Sequence, residues 1–413
     1  MSSNKFKYFL FTSSVLLLLT AGFWNWIFGS SALASWRQML IVFLYAYSIK
    51  LLKTRGDLLI YMLMIIAQLV GIFFSALNGV SLYDSIYNIF FYAAWYPFFL
   101  FARAGFAERL FSRNTQFICV YLAICAAGLY IDFNTDIFNA LTVRDYDNEF
   151  LEQIGAAKRA AFIFTTSTFV MLILGGVISV LLTYRANAKT LILSGAVGAV
   201  AVLCSGSLSA NIIFMLVVAG GLLRVARRSP RALLVFLAVI FTVSLFVSTE
   251  SVTVQRQLDR ITSNEGREES NAARIGLWQY AVDLISTFSI PEHLLGKGLG
   301  TTNNRLSGGS LYKHGESSFF QAYIELGLLG VFLRFAPFLL WLRYWRATPV
   351  TLKFYGVGFF IAVLVAPTYG YATNQMILGT ILGMCAKYAR TNENSTKRYR
   401  QRDAWRASPH STI

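Results

Sequence analysis

Charge is scarce in this sequence. Only 14% of its 413 residues are charged, where a soluble domain carries about 25%. Length alone would suggest roughly two or three soluble domains. However, 56% of the residues are hydrophobic and no stretch is polar enough to build a soluble core. Cysteine is nearly absent: Cys119, Cys125, Cys204 and Cys385 sit inside or at the ends of apolar runs. With no CxxC and no Cys/His ligand spacing, they read as small core residues, and neither a metal nor a cofactor is expected. Histidine is rarer still, with only His293, His314 and His410. GxSxG, HExxH and a Walker P-loop are missing. The run Gly296-Lys-Gly-Leu-Gly300-Thr-Thr lacks the GK[ST] that closes a phosphate-cradling loop.

What the chain has instead is long apolar runs. A transmembrane helix needs about 20 mostly apolar residues. Such helices are expected at about 8–28, 38–52, 58–77, 86–102, 115–132, 161–184, 190–205, 208–224, 232–249, 318–342, 353–368 and 372–388. The fold class is therefore an all-α polytopic membrane protein of about twelve transmembrane helices. The first run follows a short basic start, as in a signal peptide. It lacks a small-residue cleavage site and is kept as a span.

The net charge of +16 does not point to nucleic acid, because Lys and Arg mostly flank the apolar runs. With a cytoplasmic N-terminus, the inner segments hold Lys5 and Lys7, then Lys50, Lys53 and Arg55, then Arg103, Arg109 and Arg113. The alternation continues through Arg224, Arg227 and Arg228 to Arg343, Arg346 and Lys353, and to a basic tail over 389–413. The short outer connections hold almost no basic residues. This satisfies the positive-inside rule and places both termini in the cytoplasm. Arg334, inside the tenth helix, is expected to snorkel to the cytoplasmic face.

Two outer segments are long. Within 1–249, which carries nine helices, the connection at 133–160 is acidic at its centre and ends in Lys158-Arg159. The larger loop spans 250–317, ahead of three more helices over 318–388. Inside it, Asn271–Thr287 reads as an amphipathic helix with Ile275, Trp278, Ala281, Val282 and Ile285 on one face. Pro291 is expected to end it, and the glycine-rich run follows. Loops this long are uncommon unless functional or disordered.

The large loop also gathers the reactive side chains. Arg256, Arg260, Arg267, Arg274, Lys297, Arg305 and Lys313 lie along it, with His314 and Glu316 just before the tenth helix and Arg159 entering the sixth from the same side. Any one of these arginines reads as a loop charge. Together they suit a diphosphate, because guanidinium groups fork onto phosphate oxygens. A carboxylate or imidazole beside them could take a proton from an attacking hydroxyl.

These residues carry a resemblance. Arg274-Ile-Gly-Leu-Trp278, Pro291, Gly296-Lys-Gly298-Leu-Gly300, and His314-Gly-Glu316-Ser-Ser-Phe-Phe-Gln-Ala-Tyr-Ile-Glu-Leu-Gly327-Leu-Leu-Gly330 resemble the O-antigen ligase/polymerase superfamily. The resemblance implies a GT-C-like glycosyltransferase of the bacterial inner membrane, acting at the periplasmic face on undecaprenyl-diphosphate-linked oligosaccharide as donor and acceptor. It implies Glu316 or His314 as the base, Arg159, Arg274, Arg305 and Lys297 on the pyrophosphate, and inversion without a metal. A flippase and a chain-length regulator are the protein partners it implies, beside membrane lipid. Ligases resemble H-[NSQ]-x9-G-x-x-G; counting back from Gly327, the histidine position holds Glu316, and His314 lies two residues early. Ser207-Leu208-Ser209 stands where many relatives have Ser-Arg. A Wzy-type polymerase of O-antigen, capsule or exopolysaccharide is therefore expected, with a ligase to lipid A-core as the first alternative. The second alternative, a lipid-linked glycan transporter, would more often show internal repeats and mid-helix charge.

Overall fold

The computed structural model describes residues 3–28, 30–88, 92–135, 162–164, 167–185, 187–205, 208–228, 230–231, 234, 265–302, 311–312, 317–365 and 372–407. Along 25–38, 265–274 and 392–407, and at a few helix ends, it describes the backbone alone. All regular elements among these residues are helical: α1 Ser3–Leu19, α2 Ala21–Phe28, α3 Ser30–Ser48, α4 Arg55–Leu77, α5 Leu82–Asn88, α6 Trp95–Arg103, α7 Phe106–Arg113 and α8 Thr115–Asn134. Then follow α9 Ser167–Tyr184, α10 Ala188–Ser205, α11 Leu208–Arg228, α12 Glu265–Ser286, α13 Ile290–Leu295, α14 Ser318–Tyr344, α15 Val350–Val365 and α16 Ala372–Ala407.

Four stretches are long and apolar enough to cross a membrane: Arg55–Leu77, Thr115–Asn134, Ala188–Ser205 and Ser318–Ala347. Shorter apolar helices lie at Met39–Leu51, Val170–Tyr184 and Val350–Leu364. The expected pair at 190–205 and 208–224 is present as α10 and α11. The expected ninth helix, 232–249, lies outside the described residues apart from Leu234.

Buried polar groups set the helix ends. Thr54 caps α4: its side chain accepts from the Asp57 amide at 3.1 Å, and Asp57 Oδ2 accepts from the Thr54 amide in return at 3.1 Å, a capping box. The same carboxylate meets Arg103 at the end of α6 through two nitrogens, at 2.6 and 2.8 Å. Every residue from Trp95 to Arg103 is buried, so α6 lies in the interior of the bundle. It runs against α16 at Gly379 and Gly383, where an added Cβ would come within 2.0 Å of Trp95 O and 2.4 Å of Phe99 O. Small residues four apart are how membrane helices approach closely.

Several expected spans are broken. The run at 8–28 is split between α1 and α2, and the run at 86–102 between α5 and the fully buried α6. The largest departure is α14. Gly327 has φ 60 and ψ −149, which interrupts the helix. Arg334 Nη1 donates to Ser318 O at 3.0 Å, and the Phe319 and Phe335 rings lie 6.4 Å apart. Sixteen residues of straight helix would span about 24 Å, beyond the reach of either contact. The arm before Gly327 therefore folds back beside the arm after it. The expected single tenth helix is a bent pair.

Candidate active site

The glycine-rich run threads between α4 and the first arm of α14. Lys297 N donates to Ile324 O at 2.7 Å, Gly298 N to Glu325 O at 2.9 Å, and Leu299 N to Gly71 O at 3.2 Å. From α4, Ser75 Oγ donates to Leu299 O at 2.6 Å and Asn78 Nδ2 to Lys297 O at 2.8 Å. The break at Gly327 opens α14 just beyond the two carbonyls that receive the thread. Two glycines are indispensable to this contact. A Cβ on Gly298 would lie 2.2 Å from Ser75 N, at φ +111. On Gly327 it would lie 2.5 Å from Leu294 C in α13, at φ +60. The glycines thus serve close backbone approach and left-handed geometry rather than a phosphate cradle.

Beneath the thread lies a charge cluster that hydropathy alone conceals. Glu325 is fully buried. Tyr92 Oη donates to its Oε2 at 2.7 Å, and Thr302 Oγ1 donates to its Oε1. The Arg334 guanidinium, also fully buried, sits over the Tyr92 ring at 4.3 Å. Its Nη1 also donates to Gln321 Oε1 at 2.9 Å. The expected snorkelling of Arg334 towards the cytoplasmic end is overturned. The bend in α14 brings acceptors from the first arm to the guanidinium, so it has no need to reach water. The same cluster puts a carboxylate and a guanidinium, both fully buried, inside an apolar helix, where such groups are rare and mark functional interiors.

The loop helices cover the bend. Ala281, Leu284, Ile285 and Phe288 pack with Ile324, while Ile275 and Val282 are exposed. The packed face of α12 is thus rotated from the expected one, because it meets α14 through its C-terminal end. Trp278 still approaches Phe320, at 6.5 Å between rings. Pro291 does not end α12 but starts α13, within a capping box of Ser289 and Glu292. Proline's missing amide is harmless there.

Among the expected site residues, Lys297 is described in full. Its ammonium pairs with Glu292 and lies 5.1 Å over the Phe288 ring. The hydrogen bond from Lys297 and those from Ser289, against a smaller opposing effect of burial, hold the Glu292 carboxyl at about 2, from an ordinary 4.5. His293 Nδ1 lies 2.9 Å from Tyr323 Oη. Arg159, Arg305, His314 and Glu316 lie outside the described residues, and Arg274 is described by its backbone alone, one turn before Trp278 on α12.

The described neighbours of these segments are firmly anchored. Thr302, three residues before Arg305, is held by Glu325. Tyr312 N donates to Thr301 O at 3.1 Å. Ser317, directly after Glu316, caps α14 by accepting from Phe319 N at 3.3 Å. Phe162, three residues after Arg159, has φ 44 and donates its amide to the buried Asp132 carboxylate at 2.7 Å. Among the described residues no group of three or more His, Cys, Asp or Glu could hold a metal.

Comparison with known proteins gives one family. A family model described as O-antigen ligase matches residues 193–335, a segment that holds most of α10, all of α11 to α13 and most of α14. No curated protein gives a significant match. The matched segment supports the resemblance to the O-antigen ligase/polymerase superfamily over those residues, and the chain carries four helices long and apolar enough to cross a membrane.

Proposed function

We propose, on the premise that residues 193–335 are a domain of the O-antigen ligase family, that the chain is a glycosyltransferase. It acts on undecaprenyl-diphosphate-linked glycans at the periplasmic face of the inner membrane. It is a GT-C-like protein of about twelve spans, with both termini cytoplasmic. Arg159, Arg274 and Arg305 hold the donor diphosphate, Lys297 joins them by exchanging Glu292, and Glu316 or His314 is the base. An acceptor sugar hydroxyl attacks the donor's anomeric carbon while its proton passes to the base. The bond from that carbon to the diphosphate oxygen breaks, and undecaprenyl diphosphate leaves with the electron pair. Arginine forks stabilise the charge that develops on the leaving oxygens.

The observation that carries this reading is the enclosure of Arg274, Lys297, Arg305, His314 and Glu316 within the one segment that matches the family. We favour repeat-unit polymerisation over ligation because Glu316 stands at the ligase histidine position. Ligation with His314 as base is the second reading, supported by the family's description. Deleting the gene and analysing the glycans separates the two. Single repeats on lipid A-core support the polymerase, with a flippase and a chain-length regulator as its partners. Bare core with long lipid-linked chains supports the ligase. An unchanged glycan profile defeats both.

A further inference from the structure

Two short polar stretches bracket the chain from 303 to 317, and one buried network holds both. Thr302, at the entry, is 3% exposed and donates to Glu325. Ser318, at the exit, is fully buried, and its carbonyl accepts from Arg334 at 3.0 Å. Tyr92 joins the two halves: its hydroxyl donates to Glu325 at 2.7 Å and its ring carries the Arg334 guanidinium at 4.3 Å. Tyr92 comes from the approach to α6, more than 200 residues from Glu325 in sequence, so the network ties the loop to the centre of the bundle. Burying a carboxylate and a guanidinium is costly unless each is hydrogen-bonded. Stability alone would be served as well by apolar packing.

We propose that Tyr92, Glu325 and Arg334 are positioning residues that fix Thr302 and Ser318 relative to one another. These are the two points between which the sequence carries Arg305, His314 and Glu316. The network acts through these anchors and touches no substrate itself. This rests on the proposed function, because it assigns donor binding and proton transfer to the residues so bracketed.

The test uses the whole protein in lipid nanodiscs and three variants, Thr302→Val, Thr302→Ser and Tyr92→Phe. Thr302→Val removes one hydroxyl and keeps the shape, Thr302→Ser restores the donor, and Tyr92→Phe removes a donor while keeping the ring under Arg334. Two quantities are read. The first is the rate of proteolytic cleavage between residues 303 and 316, relative to cleavage in the C-terminal tail. The second is the split of KM and kcat for lipid-linked donor. Losing a hydrogen bond to a buried charge shifts a local opening equilibrium by roughly tenfold. Thr302→Val and Tyr92→Phe are therefore expected to speed loop cleavage about tenfold, with tail cleavage and the melting temperature little changed. KM for the donor rises, and Thr302→Ser recovers both quantities. Loop cleavage equal to wild type in Thr302→Val, or no recovery in Thr302→Ser, overturns the anchor. Faster cleavage with unaltered KM and kcat overturns the positioning role. A wild-type protein inert towards lipid-linked glycans would instead be a failure of the proposed function, visible in a sample whose cleavage readout still works.

Discussion

The amide of Gly298 donates to the carbonyl of Glu325 at 2.9 Å, so a loop residue completes the backbone of a membrane helix just ahead of its break. Nothing larger than glycine fits at the donor. Gly298→Ala is expected to cost several kcal/mol, about the upper range for single substitutions, because the new Cβ meets Ser75 backbone at 2.2 Å. Gly276 on α12 has no atom within 4 Å of its missing Cβ. There Gly276→Ala should stabilise by about 0.5–1 kcal/mol. Melting of the two purified variants checks the contrast.

Asp57 and Arg103 make a second prediction, at the opposite end of α4. Both are buried and meet through two contacts of 2.6 and 2.8 Å. Arg103→Met leaves a carboxylate alone in the interior and should cost about 3–5 kcal/mol. The double variant with Asp57→Asn should recover part of that loss, and Arg103→Lys should restore little because the fork is gone. A double-mutant cycle on melting temperature measures the coupling. Simple additivity would show that the pair is not coupled.

Acid should loosen α13. The fold holds the Glu292 carboxyl at about 2 instead of 4.5, so the ionised form is favoured in the folded state. Its contribution is complete above the ordinary value and fades as pH falls from about 4.5 towards about 2. Proteolysis near 290–297, followed through that window, should accelerate as the carboxyl is protonated. Glu292→Gln should be faster at neutral pH and lose the dependence.

For the chemistry, Glu316→Gln and His314→Ala separate the two proposed bases, and Arg274→Ala probes donor binding. With protein levels matched, losing the base should lower chain formation by at least about 100-fold. The variant with the larger loss identifies the base. Retained chain-length ladders in both Glu316→Gln and Arg274→Ala would remove these residues from the mechanism.

Much of the helical layout was readable from apolar run lengths, including α10 and α11, separated by little more than Gly206 and Ser207. The family resemblance was readable too, since it rests on residues close in sequence. What stayed hidden depends on tertiary partners. Glu325 and Tyr92 lie 233 positions apart and Arg103 and Asp57 lie 46 apart, and hydropathy averages each charge into its apolar neighbourhood. Arg334 looked like a snorkelling side chain because a straight helix offers it no acceptor; the fold at Gly327 supplies one. The face of α12 was misread because periodicity gives a stripe but not the part of its length that finds a neighbour. A sharper signal was available in Gly327 itself, a glycine amid apolar residues, which marks a site of close backbone approach.

The break in α14 also puts an order into biogenesis. Lipid offers no partner for a bare carbonyl, so residues 318–344 enter the bilayer most cheaply as one unbroken rod. The docked thread donates hydrogen bonds to the Ile324 and Glu325 carbonyls where that rod opens. Docking residues 296–300 and bending the helix are therefore one assembly event, and a helix that bends without the thread leaves those two carbonyls bare.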